Sequence, residues 1–304
     1  MTDGFLNLMK PPGMSSHDMV DEARRVLQIR RIGHAGTLDP GAAGVLPLAV
    51  GRAARFISYL SGVGKSYRAE LQLGFSTDSG DLTGTVTEHV DHFEMPLEHK
   101  IKEAMIWLTG SIEQVPSVYS AIKVNGKRAC DLVRSSKNVK IPPRKVEIRR
   151  FELLGVNPLE KKLLLDIDCS KGTYIRTLCE DLGKRLGIPA TMSFLVRTRA
   201  GDFHLEDSLS IEEFKACGSS ALHSPEGFLG QYPPYALADN RIRAYFNGLS
   251  TQDRKYDASV VSKDEPFLRV YAKGVFIGLG RWRFEDSSVL PEKPYLTQEA
   301  GLAL

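Results

Sequence analysis

The chain is predicted to be an α+β protein followed by a small, strand-rich C-terminal part. Two segments alternate with period two. Tyr67, Ala69, Leu71 and Leu73 are interleaved with Arg68, Glu70 and Gln72, and Leu163, Leu165, Ile167 and Cys169 are interleaved with Lys162, Asp166 and Asp168. That is the pattern of half-buried strands. Three other segments, 15–28, 97–109 and 175–186, repeat apolar residues every three to four positions, as helices with one buried face do.

In the first helix the stripe is Met19, Val20, Ala23, Val26 and Leu27, with Ser15 and Asp18 spaced as an N-terminal cap. Residues 32–51 carry Gly33, Gly36, Gly41, Gly44 and Gly51 with Pro40 and Pro47 between them, and read as a loop. The second helix places Leu97, Ile101, Ala104, Met105 and Leu108 on one face. The third carries Ile175, Leu178, Leu182 and Leu186, has Lys184 and Arg185 in its last turn, and ends at Gly187. Gly230 to Pro234 reads as a linker. Beyond it come a short helix from Arg241 to Phe246 ending at Gly248, then strands Phe267–Tyr271 and Val275–Leu279 joined by a turn at Lys273-Gly274, which suggests a compact barrel. The expected division is residues 1–232 and 236–304.

The 304 residues, 42% hydrophobic and 25% charged, suit one large and one small globular domain. No apolar run approaches the ~20 residues of a membrane helix. Met1 to Lys10 lacks a signal-peptide pattern, so a cytoplasmic location is expected. Of the four cysteines, Cys130, Cys169, Cys179 and Cys217, none forms a CxxC pair, so reduced thiols are expected and no metal site. His89, His92 and His99 lie among carboxylates and read as a solvated loop. Net charge is +3, but residues 120–150 carry +8 and the remainder −5. Arg24, Arg25, Arg30 and Arg31 form a second basic cluster. Segregated positive charge points to a polyanionic partner.

The most informative stretch runs Gly33-His34-Ala35-Gly36-Thr37-Leu38-Asp39-Pro40 and on to Gly44-Val45-Leu46-Pro47. Pro40 biases Asp39 towards an extended backbone, which suits an aimed carboxylate acting as nucleophile or base. Asp-Pro is equally an ordinary turn starter. No GxxxxGK[ST] loop, no GxGxxG after a strand and no serine nucleophile elbow occurs, so no nucleotide cofactor is expected.

This stretch resembles the catalytic loop of the TruB family of pseudouridine synthases, and four further motifs follow in the same order. Lys65-Ser66-Tyr67 resembles the family's KxY. Gly74-Phe75-Ser76-Thr77-Asp78-Ser79-Gly80-Asp81 with Gly84 resembles its GxxTDxxDxxG. Gln114-Val115-Pro116 through Ser120-Ala121-Ile122-Lys123 and Gly126-Lys127 resembles QxPPxxSAxKxxG. Ser170 to Arg176 resembles SKGTYIR. Ser117 and Cys130 depart from the family's usual proline and tyrosine. The resemblance implies a mixed, largely antiparallel catalytic sheet with flanking helices, and a C-terminal RNA-binding domain of the PUA type. It implies conversion of uridine to pseudouridine at position 55 in the tRNA T-arm, without cofactor, metal or protein partner, by a monomer. Asp39 matches the nucleophile and Arg176 the arginine paired with it. Tyr67 matches a tyrosine beside the uracil that stacks and moves a proton. Tyr174 and Leu195 match residues lining the base pocket, and His34 the histidine filling the space of the flipped base. Lys123, Lys127 and Arg128 fall in the RNA-contacting basic segment. Two alternatives stand beside this reading: an RNA-binding or RNA-folding module, and a metal-dependent nuclease using Asp39, Asp78 and Asp81.

Overall fold

The computed structural model describes residues 3–60, 64–116, 123–124, 127–128 and 141–304. The strands are β1 (Gly4–Lys10), β2 (Ile32–His34), β3 (Ala43–Val50), β4 (Lys65–Leu73), β5 (Phe75–Thr77), β6 (Val86–His89), β7 (Gly110–Gln114), β8 (Lys123–Val124), β9 (Lys127–Arg128), β10 (Arg144–Asn157), β11 (Lys162–Cys169), β12 (Ala190–Ala200) and β13 (Phe203–His204). The helices that bear on the site are α1 (Ser16–Leu27), α2 (Ile57–Leu60), α3 (Glu98–Ile106) and α4 (Ile175–Leu186). The main sheet runs β1-β3-β12-β4-β11-β10-β7, with β2 on β3 and β13 on β12. Every pairing in it is antiparallel except β3 with β12, in keeping with the expected architecture.

The α1 cap forms as the sequence suggests. Ser15 Oγ accepts from Asp18 N, and the Asp18 carboxylate accepts from Ser15 N. Two orphan amides are thereby satisfied at the start of the helix. Helix α4 stops at Gly187 in the left-handed region, φ 71°, as a C-terminal glycine should.

Two expectations are corrected. Residues 32–51 are not one loop: β2 and β3 occupy both ends, and the loop proper is the stretch between them. The run Val45 to Val50 is apolar on both faces because both faces are buried, so it shows no alternation. Leu97 does not face the core. It is the N-cap of α3 and is 66% exposed, whereas Ile101, Ala104, Met105 and Leu108 are buried.

One apolar cluster lies where α3 and α4 cover the centre of the sheet, and includes Leu71, Leu165, Ile167, Leu178 and Leu182. A second buries Met19, Val20 and Ala23 of α1 against Leu6, Leu8, Leu46 and Leu48.

The C-terminal part forms its own five-stranded sheet from β14 (Pro234–Leu237), β15 (Thr251–Gln252), β16 (Phe267–Ala272), β17 (Val275–Arg283) and β18 (Ser288–Pro294), in the order β14-β16-β17-β18-β15. The edges approach each other where Tyr235 Oη donates to Asp253 beyond β15, at 3.3 Å. This sheet is seated on the main one through a shared aromatic cluster of Phe56, Tyr59, Tyr232, Phe267, Phe276 and Tyr295. Tyr59 meets Phe267 edge to face at 4.9 Å and donates to Glu292 at 3.0 Å. The Gly230–Pro234 stretch is therefore anchored by buried Tyr232 and is no free tether.

Candidate active site

The loop between β2 and β3 carries Asp39, and its backbone is fastened on both sides of that residue. Leu38 N donates to Ser16 Oγ at 2.9 Å, and the hydroxyl donates back to Leu38 O at 3.1 Å. Pro40 O accepts from Gly13 N at 2.8 Å and from Lys10 Nζ at 3.1 Å. Lys10 is fully buried. Burial pushes its ammonium down to about 8, opposed by Asp39 and assisted by Arg197. The first strand and the capped start of α1 thus hold Asp39 in place.

The Asp39 side chain is 40% exposed and faces a cavity of about 340 Å³. Lining it are also Lys65, Tyr67, Tyr174, Arg176, Leu195 and Arg197, with Ser170 to Thr173 at one side. Arg176 stands at the second position of α4, so its guanidinium reaches Asp39 Oδ2 from Nε at 3.3 Å. Its Nη1 donates to Asp81 Oδ2 at 3.2 Å and to Ser79 O at 2.9 Å. Burial raises the Asp81 pKa, but bonds from Thr83 and Ser79 and the Arg176 cation outweigh it, leaving the carboxyl below its usual range. Arg176 therefore bridges two carboxylates from separate loops. In a nuclease built on Asp39, Asp78 and Asp81, a metal would have to occupy the place between Asp39 and Asp81 that this guanidinium fills. Asp78 instead accepts from Thr85 N at 2.9 Å.

Tyr67 of β4 lies opposite Arg197 of β12, and Ala69 lies opposite Leu195. Residues 67 and 195 therefore reach the cavity from adjacent strands. Burial pushes the Tyr67 phenol up to about 12, against the pull of the neighbouring Arg197 cation. Lys65 shares the Tyr67 face of β4, and its ammonium is lowered to about 8 by burial and by Arg197. Tyr174 is held from behind by buried Gln114, whose Oε1 accepts from Tyr174 N at 3.0 Å while Nε2 donates to Tyr174 O at 3.3 Å.

Asp39, Tyr67, Tyr174, Arg176 and Leu195 are thus brought together at one cavity. His34 is not among its lining residues. It lies on β2, and its buried Nδ1 has no hydrogen-bond partner. Burial and the Arg197 cation lower its pKa, so the ring is neutral at pH 7. Lys123, Lys127 and Arg128 lie on the paired backbone of β8 and β9. Their side chains, with most of the 120–150 basic segment and Cys130, fall outside the described residues. Two cations of that segment are neutralised: Arg149 pairs with Asp168 at 2.5 Å and Arg150 with Asp166 at 2.5 Å. Cys169, Cys179 and Cys217 are free thiols.

Sequence reasoning missed Arg197 and Lys10, and it noted Gln114 and Lys65 within motifs without weighing either as a site residue. No sequence signal pointed to Arg197; Gly44, with φ 106° and a Cβ position 2.2 Å from the Arg197 backbone oxygen, shows only that the two strands approach closely there.

Residues 24–175 match the TruB family pseudouridylate synthase N-terminal domain, and residues 176–225 match the tRNA pseudouridylate synthase B C-terminal domain. The tRNA pseudouridine synthase B of Clostridioides difficile (strain 630) is 40% identical over 94% of this chain and 96% of its own. That of Heliobacterium mobile is 44% identical over 93% of this chain and 91% of its own. Among solved structures, a Cbf5-Nop10-Gar1 complex superposes with TM-score 0.74 at 24% identity, covering 100% of this chain and 88% of the matched one, so the fold is shared. With two family domains in tandem and near full-length relatives at these identities, the chain belongs to the TruB family of pseudouridine synthases, and its chemistry is that of an isomerase.

Proposed function

We propose that the chain converts uridine 55 in the T-arm of tRNA to pseudouridine, with Asp39 as nucleophile. The observation that carries this reading is the cavity itself. An aspartate from a fastened loop, bridged by Arg176 and faced by Tyr67, Tyr174 and Leu195, opens onto a space that admits one nucleoside. Incubation with an unmodified tRNA transcript, followed by mapping of pseudouridine, tests it. Product at position 55 is expected, and product elsewhere alone, or none, overturns the reading.

The target base is stacked inside the T-loop, so it has to be flipped out at a cost of a few kcal/mol. The reaction breaks C1′–N1 and forms C1′–C5, while a proton leaves C5 and one is gained at N1. It has no net redox change and consumes no second substrate, so no cofactor is needed. Attack of Asp39 at C1′, attack at uracil C6, and prior elimination to a glycal all begin with this carboxylate beside the flipped nucleoside. Arg176 orients it, Tyr67 stacks on the uracil and moves a proton, and Tyr174 and Leu195 shape the walls. The neutral His34 ring takes the place of the flipped base in the RNA stack.

Arg176→Lys keeps the charge and loses the fork that spans Asp39, Asp81 and Ser79 O. Single-turnover activity is expected to fall by roughly 10²-fold through misplacement of the carboxylate. A rate within a few-fold of wild type would show that bridging is dispensable.

Residues 1–232 form the catalytic domain in this reading, and 236–304 an RNA-binding domain of the PUA type. The enzyme works as a cytoplasmic monomer and needs no protein partner. Lys123, Lys127 and Arg128 contact phosphate. Neutralising all three should weaken tRNA binding and flatten its salt dependence, each lost contact reducing the log–log slope by about 0.7 to 0.9. An unchanged slope would remove these side chains from the interface.

A further inference from the structure

Arg197 is among the largest fully buried side chains of the protein, at 1% exposure. Among the described residues no carboxylate pairs with it. Burying an uncompensated guanidinium is expensive, and an apolar residue would usually serve the core better. Its partners say what it is kept for. Nε donates to Val45 O at 2.7 Å, Nη2 to Gly36 O at 3.1 Å and Nη1 to Thr37 O at 3.4 Å. These carbonyls lie on either side of Asp39 in the chain. Tyr67 lies directly opposite Arg197 across β4 and β12, and both residues line the cavity, close enough for the cation to act on the phenol. Arginine has five N–H donors and no acceptor, so towards this guanidinium the phenol oxygen can only accept. A phenol facing the guanidinium in this way keeps its own hydrogen for another partner, and the ring stands in the cavity wall beside Asp39.

We propose that Arg197 is a positioning residue for the isomerisation. It braces the loop that carries Asp39 against Tyr67, which stands directly across the strand pair, so that nucleophile and proton-moving group keep one fixed separation. This rests on the role of Tyr67 given under the proposed function. Arg197 acts through the loop and Tyr67: Nε, Nη1 and Nη2 each already donate to a backbone carbonyl, and the side chain is 1% exposed. The same cation favours the phenolate over the phenol, against the effect of burial.

A double-mutant cycle on the full chain tests it, with Arg197→Lys, Tyr67→Phe and the pair. Lysine keeps the charge in the core but cannot span the loop carbonyls and the phenol together. Single-turnover rate on unmodified tRNA and tRNA affinity are measured for all four proteins. Arg197→Lys should lower the rate by roughly 10- to 100-fold with affinity within a few-fold, and should lower it by less than about 3-fold when Tyr67 is already Phe. Equal losses in both backgrounds overturn the proposal, since Arg197 would then act independently of Tyr67. Thermal unfolding supplies the second readout. Removing the phenol oxygen takes a polar group away from beside the buried guanidinium, so Tyr67→Phe alone should lower Tm by about 2–4 °C or more. An unchanged Tm overturns the coupling even where Arg197→Lys does not fold. If the wild type makes no pseudouridine, the reaction assignment fails, while the unfolding data still decide whether Arg197 holds Tyr67.

Discussion

Asp39→Asn is expected to abolish turnover while tRNA still binds. The amide has the size of the carboxylate, and its oxygen can still accept from Arg176 Nε, now 3.3 Å from the acid. The loop is fastened through Leu38 and Pro40, so its shape does not depend on the substituted side chain. What is lost is the anionic oxygen. An amide is a far poorer nucleophile, and removing a nucleophile from an otherwise intact site commonly costs many orders of magnitude, so a fall of roughly 10⁴-fold or more is expected. Affinity should stay within a few-fold, because phosphate contacts dominate binding to RNA. Single-turnover conversion and a binding isotherm on the same preparation check both halves. Substantial product from the variant would remove Asp39 from the chemistry, and lost binding would mean that it anchors the RNA.

Much of this site was legible in the sequence, but unevenly. Periodicity placed β4, β11, α1 and α4, because each buries one face and leaves the other wet. It failed for β3, whose faces are both covered, and for β12. That strand carries bulges between Met192 and Phe194 and between Arg197 and Arg199, which break the alternation. It also buries an arginine, a residue that periodicity assigns to the surface. Asp39, Tyr67 and Arg176 were recognisable only through motif resemblance, since each taken singly looks like a turn, a core aromatic and a helix-surface cation. Charge counting was coarser still. Arg149 and Arg150 swell the basic run from 120 to 150, yet in the fold they form ion pairs with Asp168 and Asp166 of the neighbouring strand. Their pairing depends on sheet register, which no tally of charges along the chain contains. Gln114 shows the same limit: its clamp on Tyr174 joins residues sixty positions apart.

Tyr67→Phe separates packing from chemistry at the same cavity. The ring is 7% exposed and belongs to the cluster beneath α3 and α4, so a purely structural role is a real competitor. Phenylalanine preserves the ring, its stacking face and almost all of its buried area. If the hydroxyl matters only as a hydrogen-bonding group, its loss costs about 1–3 kcal/mol of stability, and the rate stays near wild type. If the hydroxyl moves a proton during the rearrangement, the rate falls by roughly 10²–10⁴-fold. The large loss is expected, with tRNA affinity preserved because the stacking surface survives. The phenol is pushed up to about 12, so at neutral pH it starts protonated, poised to donate. Where it acts as the base instead, its contribution should grow as pH rises towards that value, since only the phenolate accepts a proton. The rate ratio of wild type to Tyr67→Phe would then widen between pH 7 and 9, whereas an acid role leaves it flat over that range. A ratio within a few-fold of one at every pH would return Tyr67 to the core.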